Sequence, residues 1–143
     1  MTGFDALNEA LKAEHAAIFG YGMVGARLDA EGQAVARAAE AVHRDRRDAV
    51  DLIVTAAGGT PNQASPAYAM PFPVTDPVSA VKLAVALEEG AAGAWRTALA
   101  ATDGDNRKFA LEALTACAIQ ATRWRARAAF TPVTIAFPGT EAK

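Results

Sequence analysis

"GGTPNQASPAYAMPFPVTDP", residues 58–77, decides the fold. Five of its residues are proline: Pro61, Pro66, Pro71, Pro73 and Pro77. Proline lacks the backbone N–H and locks φ, so the stretch cannot be helix. It is also too long for an ordinary bundle loop. Yet Tyr68, Met70, Phe72 and Val74 interrupt its polar residues, which a solvated linker would not need. The mixture predicts an extended strap over 58–76, packed along the rest of the chain. It begins at Gly58–Gly59, a natural stop for a preceding helix. It ends at Asp76–Pro77, a good N-cap followed by a good first helical residue.

A pair of helices is predicted on each side of the strap. Upstream, one runs over about 4–27, opened by a capping box of Thr2 and Asp5. Leu7, Leu11, Ile18 and Tyr21 recur along it at helical spacing. The next runs over about 31–57, with Val35, Val42, Val50, Ile53 and Val54 as apolar members. The turn at Asp29 is so short that these two must be antiparallel neighbours. Downstream, a third helix is predicted over about 77–101, with Val81, Val85, Trp95 and Leu99. A tight turn at 103–105 leads to a fourth over about 105–129, carrying Phe109, Leu111, Leu114 and Ile119. The tail, 130–143, is expected to be extended and partly docked through Val133, Ile135 and Phe137.

Composition agrees with one packed helical domain over 1–143. The length is enough for one core, and 52% of residues are hydrophobic, which excludes a disordered chain. About a quarter of the chain is alanine, which favours helices in close contact through small side chains. A net charge of −2 offers no general basic field for nucleic acid. Cys117 is the one cysteine, so no internal disulfide can form and a reducing, cytoplasmic setting is expected. It reads as a small buried hydrophobe. No apolar run is long enough to span a membrane, and no signal peptide is evident.

Helix, short turn, helix, long strap, helix, short turn, helix is a bundle with one long crossover, the ferritin-like arrangement. The fold class expected is therefore all-α, a ferritin-like four-helix bundle. The strings "ALKAEHAAIFGYGMVGARL", "HRDRRDAVDLI", "PAYAMPFPVTDPVSAVKLAVALEEG" and "AFPG" resemble an alanine-rich actinobacterial family catalogued as domain of unknown function 4439. The resemblance covers nearly the whole chain. It implies a ferritin-like bundle and brings no settled activity with it.

Within such a bundle, "AEHAAIFGYG", residues 13–22, places a glutamate on an apolar stripe. Positions 7, 11, 14, 18 and 21 form one series, so Glu14 is expected to face inward and His15 to lie at the edge. A ferritin-like di-iron site takes one Glu from each of two helices and Glu-x-x-His from each of the others. Here Glu40 and His43 have that spacing, but the fourth helix offers Glu112 and Thr115 instead. Only His15 and His43 exist, so a complete di-iron centre is a poor fit. With a rise of about 1.5 Å per residue, Glu14, His43, Arg47, Glu88 or Glu89, and Gln120 fall in one midplane layer. Cys117 is level with them, and Glu40 lies about two turns higher, as a solvated or capping carboxylate.

Three readings of this layer compete. One is a polar core network, with Glu14 and Glu88 or Glu89 neutralised by Arg47 and His43 hydrogen-bonded. Another is an iron or manganese ion held by Glu14, His43 and Glu88 or Glu89. The last leaves these groups at helix edges in water. The first is preferred, because a buried carboxylate needs a partner. It predicts a non-enzymatic bundle, with no catalytic residue and no cofactor, in a structural or interaction role and plausibly a homodimer. The alternative is a metal-dependent protein that stores or oxidises.

Two arginine clusters, "HRDRRD" at 43–48 and "RWRAR" at 123–127, read mainly as solvated helix faces with local ion pairs. Small-anion binding by the first is a third functional hypothesis. Gly20, Gly22 and Gly25 suggest close helix packing or a kink.

Overall fold

The structure, a computed structural model, describes residues 1–140. It is an all-α four-helix bundle made of α1 (Gly3–Gly25), α2 (Ala30–Ala56), α3 (Pro77–Ala101) and α4 (Gly104–Arg127). Local chemistry sets the ends. Thr2 and Asp5 form the expected capping box, Asp29 caps α2 by accepting from Gly32 N–H, and Asp76 with Ser79 makes a second box. At the end of α2, Gly58 takes a left-handed φ of 81°. Its N–H donates to Thr55 O, and the Gly59 N–H to Val54 O, which satisfies carbonyls that the helix leaves open. No helix among the described residues is long and apolar enough to cross a membrane.

The close helix pairs are α1–α2, α1–α3 and α3–α4. Between α2 and α4 lie two clefts of about 320 and 220 Å³. Gly20 allows the α1–α3 approach, since a Cβ there would meet Leu87 at 2.6 Å. Gly22 faces open space and Gly25 touches Ala36 lightly, so one of the three glycines serves close packing.

The strap is extended and packed, climbing the length of α1. The Asn8 side chain donates to Thr60 O, and Asn62 donates from both N–H and Nδ2 back to Asn8. The His15 Nε2–H donates to Asn62 O at 2.9 Å, so His15, at the edge of the stripe, holds the strap. Further up, Phe19 packs on Tyr68, and Met70, Phe72 and Val74 cover the upper core.

The tail differs from expectation. Val133, Ile135 and Phe137 are exposed, Phe137 at 74%. Docking is by backbone instead: Gly139 sits so close to α3 that a Cβ would meet Ala92 O at 2.6 Å, and Arg96 and Arg125 donate to Pro138 O and Val133 O. The last three residues of the expected tail, 141–143, lie outside the described residues.

The core has two apolar clusters. The lower is built on Leu7, Leu11, Val50, Val54 and Trp95. The upper is built on Tyr21, Val24, Leu83, Ala84 and Trp124. Between them lie buried ionisable residues.

Candidate functional site

Glu14, His43, Arg46 and Glu88 meet in this middle layer, and all are buried. Each continues an inward stripe. In α2 the buried set is Gly32, Ala36, Ala39, His43, Arg46, Val50 and Val54, steps of three and four that keep one helix face. Glu14 follows Leu7 and Leu11 in α1, and Glu88 follows Val81 and Ala84 in α3.

His43 bridges the two carboxylates. Its Nδ1–H donates to Glu14 Oε2 at 2.5 Å and its Nε2–H to Glu88 Oε1 at 2.9 Å. Glu14 Oε1 accepts from Arg46 at 3.0 Å and from the Trp95 indole at 2.6 Å. The Tyr21 hydroxyl donates to Glu88 Oε1 at 2.5 Å while accepting from the Trp124 indole at 2.9 Å. Arg46 also reaches Cys117 Sγ at 3.4 Å. No buried side-chain N or O atom among the described residues lacks a partner.

The protonation states follow from this geometry. Burial alone pulls the His43 ring down, but Glu14 and Glu88 more than offset that and raise it to about 9. Both ring nitrogens then carry hydrogen and donate. The 3.5 Å approach of Arg46 to His43 Nδ1 is thus a contact between two cations, with the Glu14 carboxylate bonded to both. Burial pushes the Glu14 carboxyl up, and His43, Arg46 and Trp95 outweigh it and hold the group below its ordinary value. Burial, then Glu88, pushes Tyr21 well above its ordinary value, and the same pair of causes raises the Cys117 thiol. Cys117 is therefore a protonated thiol, not a thiolate nucleophile.

Two carboxylates, an imidazolium and a guanidinium balance in charge. A metal ion held by Glu14 and His43 would need His43 Nδ1 to lose its hydrogen and Arg46 to move off Glu14. The donors as arranged do not fit one. Among the described residues, no group of three or more His, Cys, Asp or Glu side chains is placed to hold an ion.

The structure brings together Glu14, His43 and Glu88 from the expected layer. It corrects the arginine. Arg47 is 29% exposed and pairs with its neighbour Asp48, while Arg46 points inward, because 43 to 46 is a three-residue step on the buried face and 43 to 47 turns toward its edge. Glu89 lies at the rim, paired with Arg125. Gln120 lines the smaller α2–α4 cleft and is not bonded to the layer. Glu40 pairs with Arg44 on the surface at 2.6 Å. Sequence reasoning missed Tyr21, Trp95, Arg46 and Trp124 as members. A signal existed: Tyr21 is seven residues after Glu14, Trp95 seven after Glu88 and Trp124 seven after Cys117, two helical turns along the same face. In "RWRAR", Arg127 pairs with Asp29 and Glu31 at the start of α2, and Trp124 is buried.

One family model, described as a domain of unknown function (DUF4439), matches residues 6–142. Among solved structures, the chain is similar to a conserved hypothetical protein from Mycobacterium tuberculosis. The two share 39% identity over 87% of this chain and 96% of that one, with a TM-score of 0.85. No curated protein matches.

Proposed function

The chain belongs to the family described as domain of unknown function 4439, and we propose that it is a non-enzymatic bundle of ferritin-like descent whose metal place is taken by an ionic network. The observation that carries this is the Arg46 guanidinium seated on Glu14 at 3.0 Å beside a doubly engaged His43. A ferritin-like centre would draw carboxylates and histidines from the facing helices at this depth. Here α2 supplies an arginine as well as a histidine, and α4 supplies Cys117 and Trp124. The positive charge that an ion would bring is covalently part of the chain. In such a layer every buried side-chain polar atom among the described residues already has a partner. Its role on this reading is architectural, fixing the register of four alanine-rich helices. Cys117, a lone buried thiol, supports a reducing, cytoplasmic setting. The favoured partner is a second copy, meeting it through exposed apolar residues such as Val42 and Ile119.

Elemental analysis after growth with added iron and manganese tests this. The protein is expected to carry far less than one metal per chain. Stoichiometric iron or manganese, lost in both Glu14→Gln and Glu88→Gln variants, would replace the reading with a metal-handling one using Glu14, His43 and Glu88. Light scattering that gives a monomer at micromolar concentration would remove the homodimer.

A further inference from the structure

A cleft of about 670 Å³ lies between α3, α4 and the returning tail, within the range of roughly 300–1,000 Å³ typical of small-molecule pockets. Ala92, Leu114, Ala118 and Ala121 line its helical walls, and Ile135 and Phe137 belong to its roof. The roof is anchored by main-chain contacts at Gly139, Pro138 and Val133. Its two large apolar side chains therefore stay substantially exposed, as they would not if the tail were docked by its own side chains.

The charges around this cleft are unequal. Glu89 is paired with Arg125, and Glu88 already accepts from His43 and Tyr21. Arg96 and Arg123 also line it, and neither makes an ion pair among the described residues. Arg96 donates to Pro138 O and so helps to hold the roof, which leaves Arg123 as a guanidinium without a protein partner among the described residues at the edge of an apolar hollow. Guanidinium groups bind carboxylate and phosphate with directed, charge-assisted hydrogen bonds, and an apolar hollow rewards a hydrocarbon chain.

We propose that this cleft binds an amphipathic anion, an aliphatic chain ending in a carboxylate or a phosphate, with the chain along Ala118 and Ala121 toward Phe137 and the head group at Arg123. This goes beyond the architectural role of the buried layer and does not depend on it, since Arg123 does not belong to that layer.

Calorimetric titration with decanoate, decyl phosphate, decanol and decylammonium, each below its micelle concentration, tests the proposal. Both anions are expected to bind. Their relative affinity distinguishes a carboxylate ligand from a phosphate one. Decanol should bind at least about tenfold more weakly and decylammonium more weakly still, tenfold being about what one charge-assisted hydrogen bond supplies. Arg123→Gln, at an exposed position, should weaken the anions about tenfold and leave decanol unchanged. Ala118→Trp should fill the hollow and abolish binding of all four. Should that variant fold poorly, spin-labelled decanoate on the unaltered protein gives the same information: it should broaden amide signals of Ala118, Thr122 and Ile135 and spare Val54. No binding of either anion at millimolar concentration would overturn the proposal. So would anion binding indifferent to Arg123→Gln, or broadening elsewhere.

Discussion

Glu14 accepts from three donors on two oxygens, from α2 twice and from α3 once. Removing one partner from such a cluster leaves a charge in a low-dielectric interior without its balance. Loss of that kind costs about 3–5 kcal/mol. Arg46→Ala is therefore expected to lower unfolding free energy by about that amount, whereas Arg47→Ala should stay within about 0.5 kcal/mol, as surface substitutions do. Urea unfolding of the two variants side by side checks this, and equal costs would contradict the inward placement of Arg46. Glu14→Gln should also drop the His43 pKa from about 9, which its imidazole proton shifts would report. At this scale much was legible in sequence. The stripe through Leu7 and Leu11 puts Glu14 inside, because a leucine pair marks a face without ambiguity. Arg46 against Arg47 was not legible, because the buried face of α2 ahead of His43 is written in glycine and alanine, Gly32, Ala36 and Ala39. Val42, a larger apolar residue at helical spacing, is 50% exposed.

Elements differ in how strongly their ends are specified. The starts of α1, α2 and α3 were legible because Thr2, Asp29 and Asp76 are short polar side chains that accept from the first free N–H groups. The end of α4 was less so. It closes with the same pattern as α2, Phe130 N–H to Arg125 O and Ala129 N–H to Ala126 O, but Ala129 occupies the left-handed position with φ of 55°. An alanine there costs about 1–2 kcal/mol relative to its preferred region, partly offset by the unfolded-state entropy that glycine adds. Ala129→Gly should thus stabilise the protein by roughly 0.5–1 kcal/mol, read as a rise in thermal midpoint. A fall would mean that Ala129 contributes contacts outweighing its strain. Gly139 is the reverse case. Its φ is 82°, and a Cβ would strike Ala92 O, so Gly139→Ala should detach the tail. Faster proteolysis after residue 130 with an unchanged helical core would show it. The tail's docking was not legible because it runs through backbone atoms, whereas sequence patterns report side chains.

Across the whole molecule, topology was legible because five prolines in one stretch leave a single way to join two helix pairs. The depth of the ionic layer was legible too, since errors of a few residues in helix ends shift it by less than the spacing between the two apolar clusters. The clefts were not, because separation between helices depends on how small side chains share space. The layer's charges make the stability of the entire bundle depend on pH. His43 is raised to about 9 from an ordinary 6.5, so the folded state binds its proton more tightly than the unfolded state does. That contribution is complete below 6.5 and is lost as pH rises toward 9. Glu14 is held below its ordinary 4.5, so its contribution is complete above 4.5 and is lost as pH falls further. Stability is therefore expected to peak between about 4.5 and 6.5 and to decline by on the order of 3 kcal/mol from pH 6.5 to 9. Denaturant midpoints across that range measure it, with His43→Gln as the control: its curve should be flatter above pH 6.5 even though the variant is less stable throughout. A wild-type profile that is flat from 6.5 to 9 would mean His43 is neutral in the fold, and the charge balance of the layer would then fail.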